Sequence, residues 1–134
     1  MLTREDVESY LIRTGLDIEE VEEDLWVLPL GDNGARLVVS FSPPVLVLRL
    51  KVLDLPADAT QAAGLYRRLL ELNASDLVHG AYGREEGDVI LTDTLELENL
   101  DFNEFQASID AFQMALAAHR EQLAAFQPQL RVES

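Results

Sequence analysis

The stretch HGAYGREEGDVILTDTLELENLDFNEFQASIDAFQMALAAHREQL, residues 79–123, decides the fold. Val78, Gly80 and Tyr82 alternate as one expected strand carrying His79, Arg84-Glu85-Glu86-Gly87-Asp88 reads as a polar turn, and Val89-Ile90-Leu91 begin a return strand. Gly87 suits a turn position of positive φ, while Gly80 and Gly83 admit a twist or the close approach of a helix. Glycines beside a histidine could instead cradle a phosphate, but Glu85, Glu86 and Asp88 would repel it. The stretch is therefore a hairpin. Asp101 then caps a helix, with Glu104 three residues on and Leu100 and Phe105 as a hydrophobic staple. Phe102, Phe105, Ile109, Phe112, Leu116, His119, Leu123 and Phe126 step alternately by three and four, a seam closed by Pro128. Roughly 25 residues at ~1.5 Å each give a helix of about 37 Å. That exceeds what a five-stranded sheet needs at ~4.8 Å per strand, so the helix end is expected to overhang and pack on another element.

Upstream, Thr3 and Asp6 form a helix start, Leu2 and Val7 its staple, and Val7, Tyr10 and Leu11 one apolar face that Gly15 ends. Asp17 to Asp24 is mostly acidic and leads into, or forms the exposed start of, a strand. Leu25 to Leu30 is a strand ending at the turn signal Gly31-Asp32-Asn33-Gly34, and Arg36 to Phe41 is a second, broken by Ser42-Pro43-Pro44. Val45 to Leu53 alternates, with Leu46, Leu48, Leu50 and Val52 on one face and Val47, Arg49 and Lys51 on the other. One fully and one partly apolar face suit an antiparallel sheet with helices on one side. Asp58 or Thr60 caps a helix running to about Asn73, whose two stripes, Ala62-Leu65-Leu69-Leu72 and Ala63-Tyr66-Leu70, imply neighbours on two sides. The expectation is an α+β domain over residues 1–134: an antiparallel five-stranded sheet in the order α-β-β-β-α-β-β-α.

At 134 residues and 48% hydrophobic content the chain can bury one core. No apolar run reaches the ~18 residues of a membrane span, and the charged start lacks a signal-peptide layout, so a cytoplasmic location is expected. Without cysteines there are no disulfides, thiolate nucleophiles or Cys-based zinc sites, and Asn73-Ala74-Ser75 reads as a chance sequon. The net charge of −15 is unevenly spread: residues 1–24 hold nine acids against two arginines, and 85–104 hold eight acids and no base. Such a surface repels phosphate backbones and favours a basic protein partner over nucleic acid, although acids also simply keep a small protein soluble.

No motif names a reaction. The serines lie outside any Gly-x-Ser-x-Gly elbow, there is no Walker loop, and carboxylate pairs say little in a chain with 25 acids. His79 and His119 stand 40 residues apart without metal-ligand spacing, and the acids at 17–24 lack the glycine and alternation of a calcium loop. His119 sits on the seam as a core or edge residue. Neither cofactor, metal nor catalytic residue is expected; the alternative is a small metal-dependent hydrolase using acids of both blocks, such as Asp93 or Glu96.

Leu69, Leu70, Leu72 and Asn73, then Gly80 and Val89 to Leu91, then Leu95, Leu97 and Leu100 before a long aromatic helix, resemble the type III secretion chaperone-like superfamily, and within it the YbjN-type proteins. About 60 residues carry the pattern; residues 1–58 match only in element order, and the matching positions are structural rather than catalytic. The resemblance implies a non-enzymatic homodimer that binds an extended segment of a protein client, in a superfamily whose YbjN-type members are linked to regulation and stress responses. The expected partner-binding residues are Val47, Arg49, Lys51 and Trp26, using a sheet face and an edge strand. Ala62, Leu65, Tyr66 and Leu69 are the expected dimer interface.

Overall fold

The computed structural model describes residues 1–31 and 34–126; Asp32, Asn33 and Pro128, singled out above, lie outside the described residues. The elements are α1 (Arg4–Arg13), β1 (Glu19–Glu22), β2 (Leu25–Leu30), β3 (Ala35–Ser42), β4 (Val45–Asp54), α2 (Ala59–Ser75), β5 (Ala81–Glu85), β6 (Asp88–Glu96) and α3 (Phe102–Ala124). All six strands form one antiparallel sheet in the order β1-β2-β3-β4-β6-β5. The sheet thus has six strands rather than the expected five, because the acidic stretch Glu19–Glu22 pairs with β2 as a strand of its own.

Local signals fix the helix ends. Thr3 accepts from the Asp6 N–H at 3.2 Å while Asp6 accepts from the Thr3 N–H at 2.9 Å, closing a capping box that holds the Asp6 carboxyl below its ordinary range. Asp58, rather than Thr60, caps α2 through the Gln61 N–H at 2.8 Å, and Asp101 caps α3 through the Glu104 N–H at 2.8 Å.

Strand phase sets the core. One cross-strand row runs Leu28, Leu37, Leu50, Leu91, Tyr82 over five strands, and every member is buried. The helices close over this face with Val7 and Leu11, Leu65, Leu69 and Leu72, and Phe105, Ile109, Phe112 and Leu123. Each such side chain contributes about 1.5–3 kcal/mol on burial, before the entropy of ordering it is set against that gain. The alternation puts Val52 on this face; a bulge between Lys51 and Leu53 interrupts it, so Leu53 is buried opposite Val89 while Val52, half-buried, packs at the border of the core.

The end of α3 meets a second helix as well as the sheet. Its last turns pack on α2, where Gln122 accepts from Arg68 Nε at 2.7 Å and the Phe126 ring lies 3.1 Å from the position a Cβ on Gly64 would take. In the hairpin, the strand begins only at Ala81, so His79 and Gly80 belong to the preceding loop rather than to a strand. The positive-φ residue of the turn is Glu86 (φ 53), not Gly87.

Candidate partner-binding surfaces

The sheet's second face carries no helix. Its central row is Val27, Val38, Arg49, Thr92, Ala81, bordered by Leu25, Val45, Val47 and Ile90. Val27, Val38 and Val47 are half-buried by their neighbours alone. Of the expected partner-binding residues, Val47, Arg49 and Lys51 lie on this open face, as their alternation requires. Trp26 does not. It shares a phase with Leu28 and Leu30, is 1% exposed, and its ring lies 5.1 Å beneath the Arg4 guanidinium. The largest apolar side chain of β2 fills the core, and Leu25, Val27 and Pro29 face outward instead.

The cations of the open face are already compensated. Arg49 pairs with Glu85 at 3.0 Å, and Lys51 lies 2.7 Å from Asp54 and 3.3 Å from Asp88, two carboxylates that oppose each other across β4 and β6. Hydrogen bonding to Asp54, then to Asp88, raises the Lys51 pKa. Neither cation stands free to attract an acidic partner.

The two sheet edges differ. On β5 the Asn73 side chain, reaching from the end of α2, accepts from the Tyr82 N–H at 2.7 Å and donates to the Tyr82 carbonyl at 3.1 Å. A side-chain amide presents the same donor and acceptor as a peptide, so Asn73 occupies the site where another strand would pair. Among the described residues nothing takes up the outer backbone of β1, all four of whose residues are exposed. Beside β1, Ile18, Val27, Pro29 and Ala35 line a hollow of about 380 Å³ whose rim carries Asp17, Glu19 and Arg36.

The two acidic blocks meet in space. The Leu2 N–H bonds the Leu97 carbonyl at 3.3 Å, the Met1 ammonium lies 3.6 Å from Glu98, and the Tyr10 hydroxyl donates to the Leu100 carbonyl at 3.4 Å. Arg4 tethers the first block: it pairs with Glu20, with Asp24 at 2.8 Å and with Glu8 at 3.9 Å. These carboxylates, Glu20 foremost, raise its pKa further.

The expected dimer interface is only partly available. Leu65 and Leu69 are buried under their own chain, because this stripe of α2 is the one that faces the sheet. Ala62 and Tyr66 are half-buried, and Leu70, 67% exposed, is the large apolar side chain that α2 presents outward.

Both histidines were left without a role in sequence. His119, 3% exposed, accepts from or donates to the Tyr82 hydroxyl through Nδ1 at 2.7 Å and meets Asp76 through Nε2 at 3.2 Å. With Tyr82 neutral, one tautomer satisfies all three groups: Tyr82 O–H donates to Nδ1 and Nε2–H donates to the carboxylate. Burial raises the Tyr82 pKa, which keeps that hydroxyl a donor. Hydrogen bonds from Ser75, then from His119, lower the Asp76 pKa. The trio ties β5, α3 and the end of α2 together. Long-range convergence of this kind leaves no local sequence signal.

Asp93 accepts from buried Ser108 at 2.9 Å on the helix side of β6, opposite Leu48, whereas Glu96 lies on the open face opposite Val45. The two acids of the hydrolase alternative point to opposite faces. Among the described residues no group of three His, Asp or Glu side chains is arranged to hold a metal, and no helix is long and apolar enough to cross a membrane.

A helix-backed antiparallel sheet with an open face and one unoccupied edge defines an α+β fold of the kind that secretion chaperones use. The chain belongs to the CesT_Tir_1 family of type III secretion chaperones, whose sequence profile matches residues 2–129. Among solved structures it is similar to YbjN from E. coli (TM-score 0.68, 11% identity, covering 90% of this chain and 93% of that one). It is also similar to a chain of the heterodimeric ExoU–SpcU complex of the type III secretion system of Pseudomonas aeruginosa (TM-score 0.65, 15% identity, 90% and 97% covered). A third likeness is to a chain of the ExsC–ExsE complex (TM-score 0.63, 18% identity, 92% and 97% covered). At these identities the likeness is one of fold. A comparison with curated proteins gives no sequence match.

Proposed function

We propose that the chain is a non-enzymatic, chaperone-like adaptor that binds an extended, basic segment of a protein partner along β1 and the adjoining open face. The observation that carries the reading is the asymmetry of the sheet edges: Asn73 occupies the β5 edge at Tyr82, while among the described residues no main-chain hydrogen bond takes up the outer side of β1. An added strand on β1 gains main-chain hydrogen bonds, and its alternate side chains meet the hollow between Ile18, Val27 and Pro29. Along or beside this edge Glu20 and Asp24 pair with Arg4 and Glu19 lies 3.5 Å from Arg36, but with Glu22 and Glu23 the edge stays net acidic and favours lysine and arginine in the incoming segment. Val47, Arg49 and Lys51 extend the contact over the open face. A nucleic-acid-handling protein, whose basic surface such an adaptor could mask, is one class of client that fits.

The chain acts as a homodimer through the outward side of α2, where Tyr66 and Leu70 are accessible and Arg67, Arg68 and Glu71 leave the surface least acidic. Light scattering should give about twice the 15.0 kDa chain mass, and Leu70→Asp with Tyr66→Asp should return it to one. For the edge, the partner recovered on a tagged chain from native lysate is identified and titrated back while amide exchange is followed. Protection should appear at Glu19–Glu22 and weaken between low and moderate salt. Recovery of no reproducible partner, or protection confined to other elements, sinks the reading.

A further inference from the structure

Val78, 84% exposed, and Met114, 70% exposed, are two of the six large apolar side chains that the described residues leave in solvent, and both line one hollow. It holds about 350 Å³ between the loop at Asp76–Gly80 and one side of α3, floored by Ala107, Ala111 and Ala118, with His79 and His119 in its wall. Scattered apolar residues on a surface need no explanation; two that flank one cavity over a floor of small side chains do.

Both walls are rigidly held. His119 is bonded to Tyr82 and Asp76. Gly80, at φ +81, packs so closely that a Cβ would lie 2.8 Å from the Thr92 carbonyl oxygen and 2.9 Å from the Phe112 ring. The loop carrying Val78 and His79 is thereby pinned to β6 and α3, so the groove exists before anything enters it.

Its shape and charge select the occupant. The floor is the side of a helix, whose backbone groups are bonded within α3, so an extended strand would find no main-chain partners here. An incoming helix brings its backbone already satisfied. Ala107 to Ala118 spans about 16 Å, three turns, and alanine side chains let a second helix approach at the short end of the usual 8–10 Å. Glu104, Asp110 and Glu121 lie three or four residues from these floor positions on exposed turns of α3, and exposed Asp76 stands on the opposite wall.

We propose that this groove is a second docking surface, separate from the β1 edge, which takes a basic amphipathic helix of a protein partner and seats one of its large apolar side chains between Val78 and Met114. The proposal rests on the reading of the chain as a partner-binding protein, and deepens it: one partner could contribute a strand to β1 and a helix here.

The test uses the full chain with isotope-labelled methionine methyl groups. Met114 reports the groove and Met1, the other methionine, is the internal reference. The probe is a helical amphipathic peptide of leucine, alanine and lysine, compared with a shuffled peptide of the same composition. The Met114 methyl should shift saturably while that of Met1 stays, and the shuffled peptide should bind about tenfold more weakly or worse. Met114→Gln and Ala118→Gln, both at exposed positions and neutral, should each weaken binding about tenfold with unchanged thermal unfolding. An unmoved Met114 methyl, equal binding of the shuffled peptide, or wild-type affinity in both variants overturns the proposal. Val21→Pro on β1 separates the two surfaces. If it abolishes capture of the natural partner but leaves the Met114 shift, both readings stand. If no partner is ever recovered and the Met114 shift persists, only the strand-edge reading fails.

Discussion

Gly80→Ala should be among the most damaging single-methyl additions in this chain. Gly80 sits at φ +81, a conformation that costs an L-residue roughly 1–2 kcal/mol. The added Cβ would also lie 2.8 Å from the Thr92 carbonyl oxygen and 2.9 Å from Phe112 Cε1. Real Cβ atoms do not approach so closely, so something must shift. The Thr92 carbonyl belongs to β6, paired on both sides, and the Phe112 ring is fully buried under α3, so neither moves without cost. Overpacking of this sort costs about 1–3 kcal/mol. Together the destabilisation should be roughly 2–5 kcal/mol, read as a lower urea midpoint with an unchanged slope. Gly87→Ala is the matched control: nothing lies within 4 Å of its added Cβ and its φ is not positive, so it should change stability by no more than about 1 kcal/mol and raise it if anything. A Gly80→Ala midpoint within experimental error of wild type would refute the account of how the 76–80 loop is fixed, and with it the claim that the groove is preformed.

Other perturbations test the polar and charged contacts. His119→Leu should cost about 1–3 kcal/mol, because it leaves the buried Tyr82 hydroxyl without its acceptor; adding Tyr82→Phe should recover a large part, and strict additivity of the two would show that the pair is not coupled. Asp6 and Asp76 release their protons more readily in the folded chain, so the unfolded chain binds more protons. Their stabilisation is therefore present above the ordinary value of about 3.9 and is lost as pH falls through the lower folded values. Asp6→Asn should flatten the acid limb of the stability profile, and an unchanged limb would remove the capping box as its cause. Lys51 has the opposite sign. Its raised pKa gives stability that is full below about pH 10.4 and fades as pH rises through the folded value, and Lys51→Met should lose that alkaline limb. Arg4→Met should lower the thermal midpoint more at low salt than at high; a gap independent of salt would assign the effect to stacking on Trp26 rather than to the three carboxylates.

Sequence patterns carried what is local. The starts of α1 and α3 were legible because an N-cap acts over three residues, whereas Asp58 and Thr60 both fitted the start of α2; the phase of β4 was legible because leucines recur at every second position until the bulge. β1 was not, because Glu19, Glu20, Val21 and Glu22 are all exposed and show no alternation; the strand exists through its pairing with β2 alone. Val52 and Glu86 departed from expectation where one residue absorbs a backbone irregularity that several neighbours could have taken. On α2 two apolar stripes were readable, but which one turned inward depended on the position of the sheet, so Leu65 and Leu69 fell to the core and Leu70 to the surface. Trp26 shares its alternation with Leu28 and Leu30, and that phase, more than its size, would have placed it inside. The family resemblance carried the architecture; the closed β5 edge and the shared hollow of the two histidines depended on contacts across the fold.

The distribution of charge makes the proposed surfaces compatible with one another. An exposed strand edge ordinarily invites pairing with another copy of itself, and proteins guard against this with charge or with a covering group. Both devices occur here, at different edges. Asn73 covers β5 at Tyr82 by direct occupation, which blocks an incoming strand at that residue whatever its sequence. The glutamates of β1 exclude selectively: a second β1 would bring like charges into register, whereas a basic segment would relieve them. An edge guarded by charge alone is thus closed to self-association and open to the partner class proposed above. The same logic pushes any dimer contact away from β1 and towards α2, whose only charged residues are Arg67, Arg68 and Glu71. If substituting the β1 glutamates with glutamine produced concentration-dependent oligomers without touching α2, the selective guard would be demonstrated; if the variant kept the mass of the wild type at every concentration, charge would not be what keeps this edge free.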